Sequence, residues 1–205
     1  MKKIMVLLFL FLPVTLCAAP LYRAGAHKNA ADDFSRWEVS ADGVLSSAEV
    51  SDVRGQNALN GTGGLGLRGV YSVRPWLGLG AEGAYFPARS FGPFVDAYQT
   101  ARIGTVAKLS LSPDTSPRVY FILGAGVSRH RFTFRKTPAT AHWKTRRTDI
   151  PYVQAGLGLE VTVWKGWFAG LEGNMLYNTK TALTPYYRLG ARWEKTLRLR
   201  AGVRF

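Results

Sequence analysis

The sequence has one cysteine, Cys17, in 205 residues, and three histidines. A disulfide framework is therefore excluded, and so is a zinc site built on four thiolates. Acidic residues are scarce: 13 Asp and Glu stand against 27 Lys and Arg, a formal net charge of +14. Beyond the N-terminus there is no charge-free apolar run near the roughly 20 residues that a spanning helix requires. The 22 glycines keep no strict three-residue period, which rules out collagen. Aromatic content of 13% and apolar content of 47% argue against a disordered chain.

What is present begins with an export signal. Lys2 and Lys3 precede a charge-free stretch from Ile4 to Leu16, followed by the small residues Cys17, Ala18 and Ala19. This pattern predicts a secretory signal over residues 1–19, too short for a spanning helix. Two other readings stand beside it: a short membrane anchor, and lipidation at Cys17, for which Leu16 is a poor preceding residue. Removal of residues 1–19 leaves a chain without cysteine, suited to an oxidising compartment.

The dominant signal in the rest is alternation. Leu65, Leu67, Gly69, Tyr71 and Val73 alternate with Gly64, Gly66, Arg68, Val70 and Ser72. The same period of two runs through 77–85, 103–111, 119–128, 153–163 and 169–175. Period two is the mark of strands with one apolar face. The second face is mostly Gly, Ala and Ser with isolated charges, which suits the crowded inside of a narrow barrel rather than the wet face of a sandwich. Turns alternate in length: 74–76, 112–117 and 164–166 are short, whereas 48–60, 87–97 and 129–149 read as long loops. Aromatics fall near strand ends, with Trp76, Trp164 and Trp167 by short turns and Tyr85, Tyr98, Tyr152 and Tyr177 by long loops. These are candidate interface girdles.

The last residues alternate as well: Leu197, Leu199, Ala201, Val203 and Phe205 against Arg198, Arg200, Gly202 and Arg204. This resembles the terminal strand of bacterial outer-membrane proteins. With the signal, the Leu-Gly-Leu-Gly strands and the short Arg-Pro-Trp and Lys-Gly turns, the chain resembles the small eight-stranded outer-membrane barrels, the OmpA/OmpX and opacity-protein-like group. The resemblance implies an all-β, antiparallel up-and-down transmembrane β-barrel in the outer membrane of a Gram-negative bacterium, with no cofactor. It implies recognition by the barrel assembly machinery through the strand ending at Phe205. The chain then divides into a signal peptide (1–19), a periplasmic segment (20–35) and a barrel (36–205). Strands are expected near 36–46, 62–73, 77–86, 98–111, 118–132, 150–164 and 167–178. One long strand from Tyr187 to Phe205 makes eight. A hairpin at 194–196 would make nine, and a strand at Leu21–Ala26 supports a rival count of ten.

Charges on the small-residue face would point into the lumen. Arg68 and Glu82 flank Pro75 symmetrically and are expected as cross-strand neighbours. Glu160 and Glu172 flank the Lys165 turn; Arg198, Arg200 and Asp42 lie at similar height. An internal cluster of salt bridges follows, since buried charges need partners. Facing carboxylates also permit an acid/base pair. Ser128-Arg129-His130 places a serine and a histidine on one face, but reverses the His-x-Ser-Asn order of the lipid A deacylases and lacks the asparagine. The expectation is a non-enzyme, with a lipid A-modifying enzyme and a narrow small-solute channel as alternatives.

The clearest functional handle is segment 129–148, which contains Arg129, Arg131, Arg135, Lys136, Lys144, Arg146 and Arg147 without an acidic residue. Placed at the outer surface, it would meet lipopolysaccharide phosphates or host polyanions, which arginine binds bidentately. A merely solvated charged loop is the other reading. Nucleic acid does not fit an exported barrel. Acids gather early in the chain, with Asp32, Asp33, Glu38, Asp42, Glu49 and Asp52 all before residue 53.

Overall fold

A computed structural model describes residues 36–55, 58–113, 116–135 and 145–205. The signal, the 20–35 segment and the candidate extra strand at Leu21–Ala26 lie outside these residues. The described chain is all strand: β1 (Trp37–Asp52), β2 (Ala58–Arg74), β3 (Leu77–Phe91), β4 (Val95–Ser110), β5 (Arg118–Phe134), β6 (Arg146–Trp164), β7 (Trp167–Asn178), β8 (Tyr187–Leu189) and β9 (Trp193–Arg204). Every neighbour is antiparallel, and β1 pairs both with β2 and with β9, closing the barrel. The seam is tied at its end where the Trp37 amide donates to the Phe205 carbonyl at 2.9 Å.

The closed wall has eight staves. The last is not one long strand from Tyr187 to Phe205. Both β8 and β9 lie along β1, and residues 190–192 bulge between them. The register passes from Val50↔Leu189 to Ser46↔Thr196, so β1 spans with fewer residues what the closing stave spans with more. The β1 register also shifts between Ser46 and Glu49.

Short turns join the staves at one end. Lys165 and Gly166 make the tightest, with φ of 29° and 88°. Positive φ at both central residues fits the right-handed twist of a two-residue hairpin, and Gly166 supplies it without strain. A Cβ there would also meet the Arg204 carbonyl oxygen at 2.6 Å.

The outside is greasy where a soluble protein would be polar. Leu65 is 74% exposed and Ile103 71%, and Leu67, Leu79, Leu157, Leu171 and Leu199 join them in a continuous belt. Among the described residues no helix is long and apolar enough to cross a membrane; the strands are the crossing elements. Trp37 packs on Tyr71 (5.0 Å between centroids), and with exposed Trp164, Trp167 and Phe205 edges the belt at the short-turn end. Tyr177 and Trp193 (5.0 Å) edge it at the other.

Strands of 15 to 19 residues exceed the 9–11 needed to span a bilayer. The surplus lies at the loop end, where strand takes in 48–52, 58–60, 87–91, 95–97, 129–134 and 146–149, all within segments read from the sequence as loops. The reason is an inversion of polarity. Above the belt, Val50, Phe91, Val95, Phe132, Phe134 and Ile150 point inward and are buried, while Arg129 and Arg147 point outward and are exposed. Register shifts between Ser46 and Glu49 and between Phe86 and Arg89 sit near this switch. Tyr98 and Tyr152 are inside the lumen and 4% and 2% exposed, so they are not girdle residues.

Candidate functional site

The interior is filled in three layers. The layer toward the short turns is a network of charges. Its carboxylates are Glu38, Asp42, Glu82, Glu160 and Glu172; its cations are Arg68, Lys108, Arg198, Arg200 and Arg204. All come from inward positions of the alternating strands. Arg68 stands directly opposite Glu82 in the β2–β3 register. It donates to Glu82 at 2.7 Å and turns its fork on Glu172 at 2.5 and 2.7 Å. Glu82 also accepts from Arg198 (2.8 and 3.1 Å) and Gln154 (2.6 Å). Glu172 accepts from the Tyr120 hydroxyl at 2.9 Å and the Asn174 amide at 2.8 Å. Lys108 reaches Glu160 at 2.6 and 2.8 Å and Glu38 at 2.7 Å. Arg200 bridges Asp42 (3.2 Å), Glu160 (2.9 Å) and Glu38 (3.2 Å), and Arg204 pairs with Glu38 and Glu160. Bidentate, multiply bonded pairs of this kind are what make buried charge tolerable.

Above it, Arg102 donates to Glu194 at 2.5 Å and lies 4.7 Å from the centre of the Phe86 ring. Ser46 donates to the same carboxylate at 2.5 Å. The topmost layer is apolar. Phe132 packs on Tyr98 (4.8 Å) and Tyr187 (5.4 Å), and Phe91 meets Tyr187 edge-on at 5.6 Å. Leu183 and Leu189 complete this cap.

The sequence named seven members of the charged layer. It missed Glu38, Lys108 and Arg204, and also Arg102 with Glu194. The signal was available: each occupies the same small-residue face. Glu160 and Glu172 do not form a free acid/base pair, because each is wrapped by cations, Arg200 being common to both. Ser128 and His130 are both buried, and no hydrogen bond joins them; the Ser128 hydroxyl has no partner. The His130 ring instead meets the Tyr98 hydroxyl at 2.8 Å beneath the cap. Among the described residues no three metal-ligating side chains come together.

The basic segment divides into two strand ends and a tip. Arg129 and Arg131 are on β5, and Arg146 and Arg147 on β6. Arg129 forks on Asp149 at 2.9 Å twice, an exposed pair. Arg131 stands opposite Arg147 in the register. Arg135 is exposed, with its amide bonded to the Phe94 carbonyl at 2.9 Å. Lys136 and Lys144 lie outside the described residues.

Among the described residues the lumen holds the charged layer with the aromatic cap above it. The purified protein in a planar bilayer is expected to carry no steady ion current at moderate voltage; a stable conductance would show that the lumen opens.

A closed eight-stave barrel, apolar outside and filled with paired charge inside, is an outer-membrane β-barrel. No protein-family model matches the chain, and no curated protein matches it. Its fold is similar to that of Ail, the attachment invasion locus protein of Yersinia pestis, with TM-score 0.53, 16% identity and coverage of 84% of this chain and 100% of that one. The same protein in complex with the heparin analogue sucrose octasulfate gives 0.54 at 14% identity, with 84% and 100% covered. Neisserial surface protein A gives 0.55 at 14% identity, with 82% and 97% covered. A major outer membrane protein of Thermus thermophilus gives 0.54 at 11% identity, with 82% and 99% covered. At these identities the likeness is one of fold.

Proposed function

We propose that this barrel is a surface-interaction protein of the Gram-negative outer membrane whose basic outer rim binds polyanions. One observation carries the reading. Lumen charges cancel one for one: Glu38, Asp42, Glu82, Glu160, Glu172 and Glu194 against Arg68, Arg102, Lys108, Arg198, Arg200 and Arg204. Among the described residues the net positive charge therefore lies outside the lumen. At the loop end, the described residues include exposed Arg54, Arg135, Arg146, Arg147, Arg188 and Arg192. Guanidinium forks suit phosphate and sulfate. The complex of Ail with a heparin analogue supports the idea that a barrel of this fold offers such a surface.

A quadruple variant of the rim, with Arg135, Lys136, Lys144 and Arg146 each changed to Gln, tests it. Its retention on immobilised heparin should fall, with binding roughly tenfold weaker at moderate salt. Elution at the same salt as the unaltered protein would refute a rim site.

A further inference from the structure

We infer that Arg131 and Arg147 form a clamp on the outer wall of the barrel for the phosphate of an outer-leaflet phosphoglycolipid. The inference rests on the polyanion reading and narrows it to one ligand at one place. On β4, β5 and β6 the outward rows step upward in register. Ile103, Val127 and Pro151 form one row, and Ile103 and Val127 in it are exposed and apolar. The next row is Ala101, Arg129 and Asp149, and the one above it Gln99, Arg131 and Arg147. The wall thus passes from acyl-chain surface to charge within one step of the pleat.

In the charged rows the acid is already used. Asp149 is taken by both arms of Arg129, at 2.9 Å each. Arg131 and Arg147 face each other across the ladder, where opposite side chains sit about 4.5–5.5 Å apart at Cβ and like charges destabilise the pair. One tetrahedral anion between the two guanidinia removes the repulsion. Position selects the anion. A soluble polyanion meets the rim first, whereas a lipid whose acyl chains lie on the Ile103–Val127 belt brings its phosphate to the level of the clamp.

The test uses the full protein and native mass spectrometry with three probes: diphosphorylated lipid A, phosphate-free lipid A and inorganic phosphate. The double variant R131Q/R147Q should bind diphosphorylated lipid A roughly 10- to 100-fold more weakly. The control variant R74Q, at the exposed short-turn end, should bind it like the unaltered protein, and phosphate-free lipid A should bind weakly to all. Saturation by inorganic phosphate at the affinity of lipid A would make the ligand a free anion and overturn the lipid assignment. Undiminished lipid A binding by R131Q/R147Q, or equal loss in R74Q, would overturn the clamp. A charge-retaining variant, R131K/R147K, loses only the forks; it should also lose affinity, and it serves if the glutamine variant does not fold. Normal heparin retention by rim variants, with lipid A still dependent on Arg131 and Arg147, would sink the rim reading and leave the clamp. Loss of heparin retention without any lipid A effect would do the reverse.

Discussion

With Arg68 replaced by methionine, the folded barrel is expected to lose about 3–5 kcal/mol, the usual cost of removing one partner from a buried ion pair. Arg68 is 1% exposed and is the cation shared by Glu82 and Glu172. Without it, Glu82 keeps Arg198 and Gln154, while Glu172 keeps only the neutral donors Tyr120 and Asn174 at short range. The nearest remaining cations to Glu172 are Arg200 at 3.5 Å and Arg198 at 3.9 Å. The loss should therefore concentrate at Glu172. Adding Glu172→Gln removes the stranded charge, so the double variant should be less destabilised than the sum of the two single changes. Urea unfolding in lipid vesicles, followed by tryptophan fluorescence, measures all three. A loss under about 1 kcal/mol for Arg68→Met would mean that the other cations close over the gap.

The second large effect is steric. Gly104 and Gly126 face each other in the β4–β5 register, and the Tyr152 hydroxyl lies across both. A Cβ on Gly126 would collide with the Ile103 carbonyl and come within 2.7 Å of the Gly104 Cα and the Tyr152 hydroxyl. Two of those obstacles are backbone and cannot rotate away. Gly126→Ala is expected to cost about 3 kcal/mol or more, the upper end for overpacking, and Gly126→Val to prevent closure. The check is the fraction of protein that runs as the compact band when left unboiled on SDS gels. Gly43→Ala is the control, since nothing lies within 4 Å of its Cβ position. It should fold fully. A Gly126→Val barrel that folds as well as Gly43→Ala would show that the notch is not required.

The belt-spanning half of each strand was legible because lipid demands an unbroken apolar face, so Leu65 to Val73 or Leu197 to Phe205 can be read only one way. The upper halves were not, because Phe132 and Phe134 face inward there while Arg129 and Arg131 face outward. On β5 the register runs unbroken while the apolar residues move from the outward to the inward positions, and an alternation that changes sides in this way looks like a loop. The same inversion carried Tyr98 and Tyr152 into the lumen. Hairpin counting around Pro75 was enough to oppose Arg68 to Glu82. The meetings of Arg68 with Glu172, or Lys108 with Glu38, cross the barrel. Those depend on strand tilt and stagger, which local spacing does not encode.

The aromatic cap separates two tasks that loops often share. Among the described residues its side chains come from strands and from Leu183, with none from the turns at 53–55 and 92–94. Closure of the molecule is thus independent of what those turns present to the outside. Display can be rewritten, with new lengths, charges or epitopes grafted at the rim, while the seal beneath is inherited intact. Among the described residues, the 179–192 crossing, which lends Leu183, Tyr187 and Leu189 to the cap, is barred from that freedom.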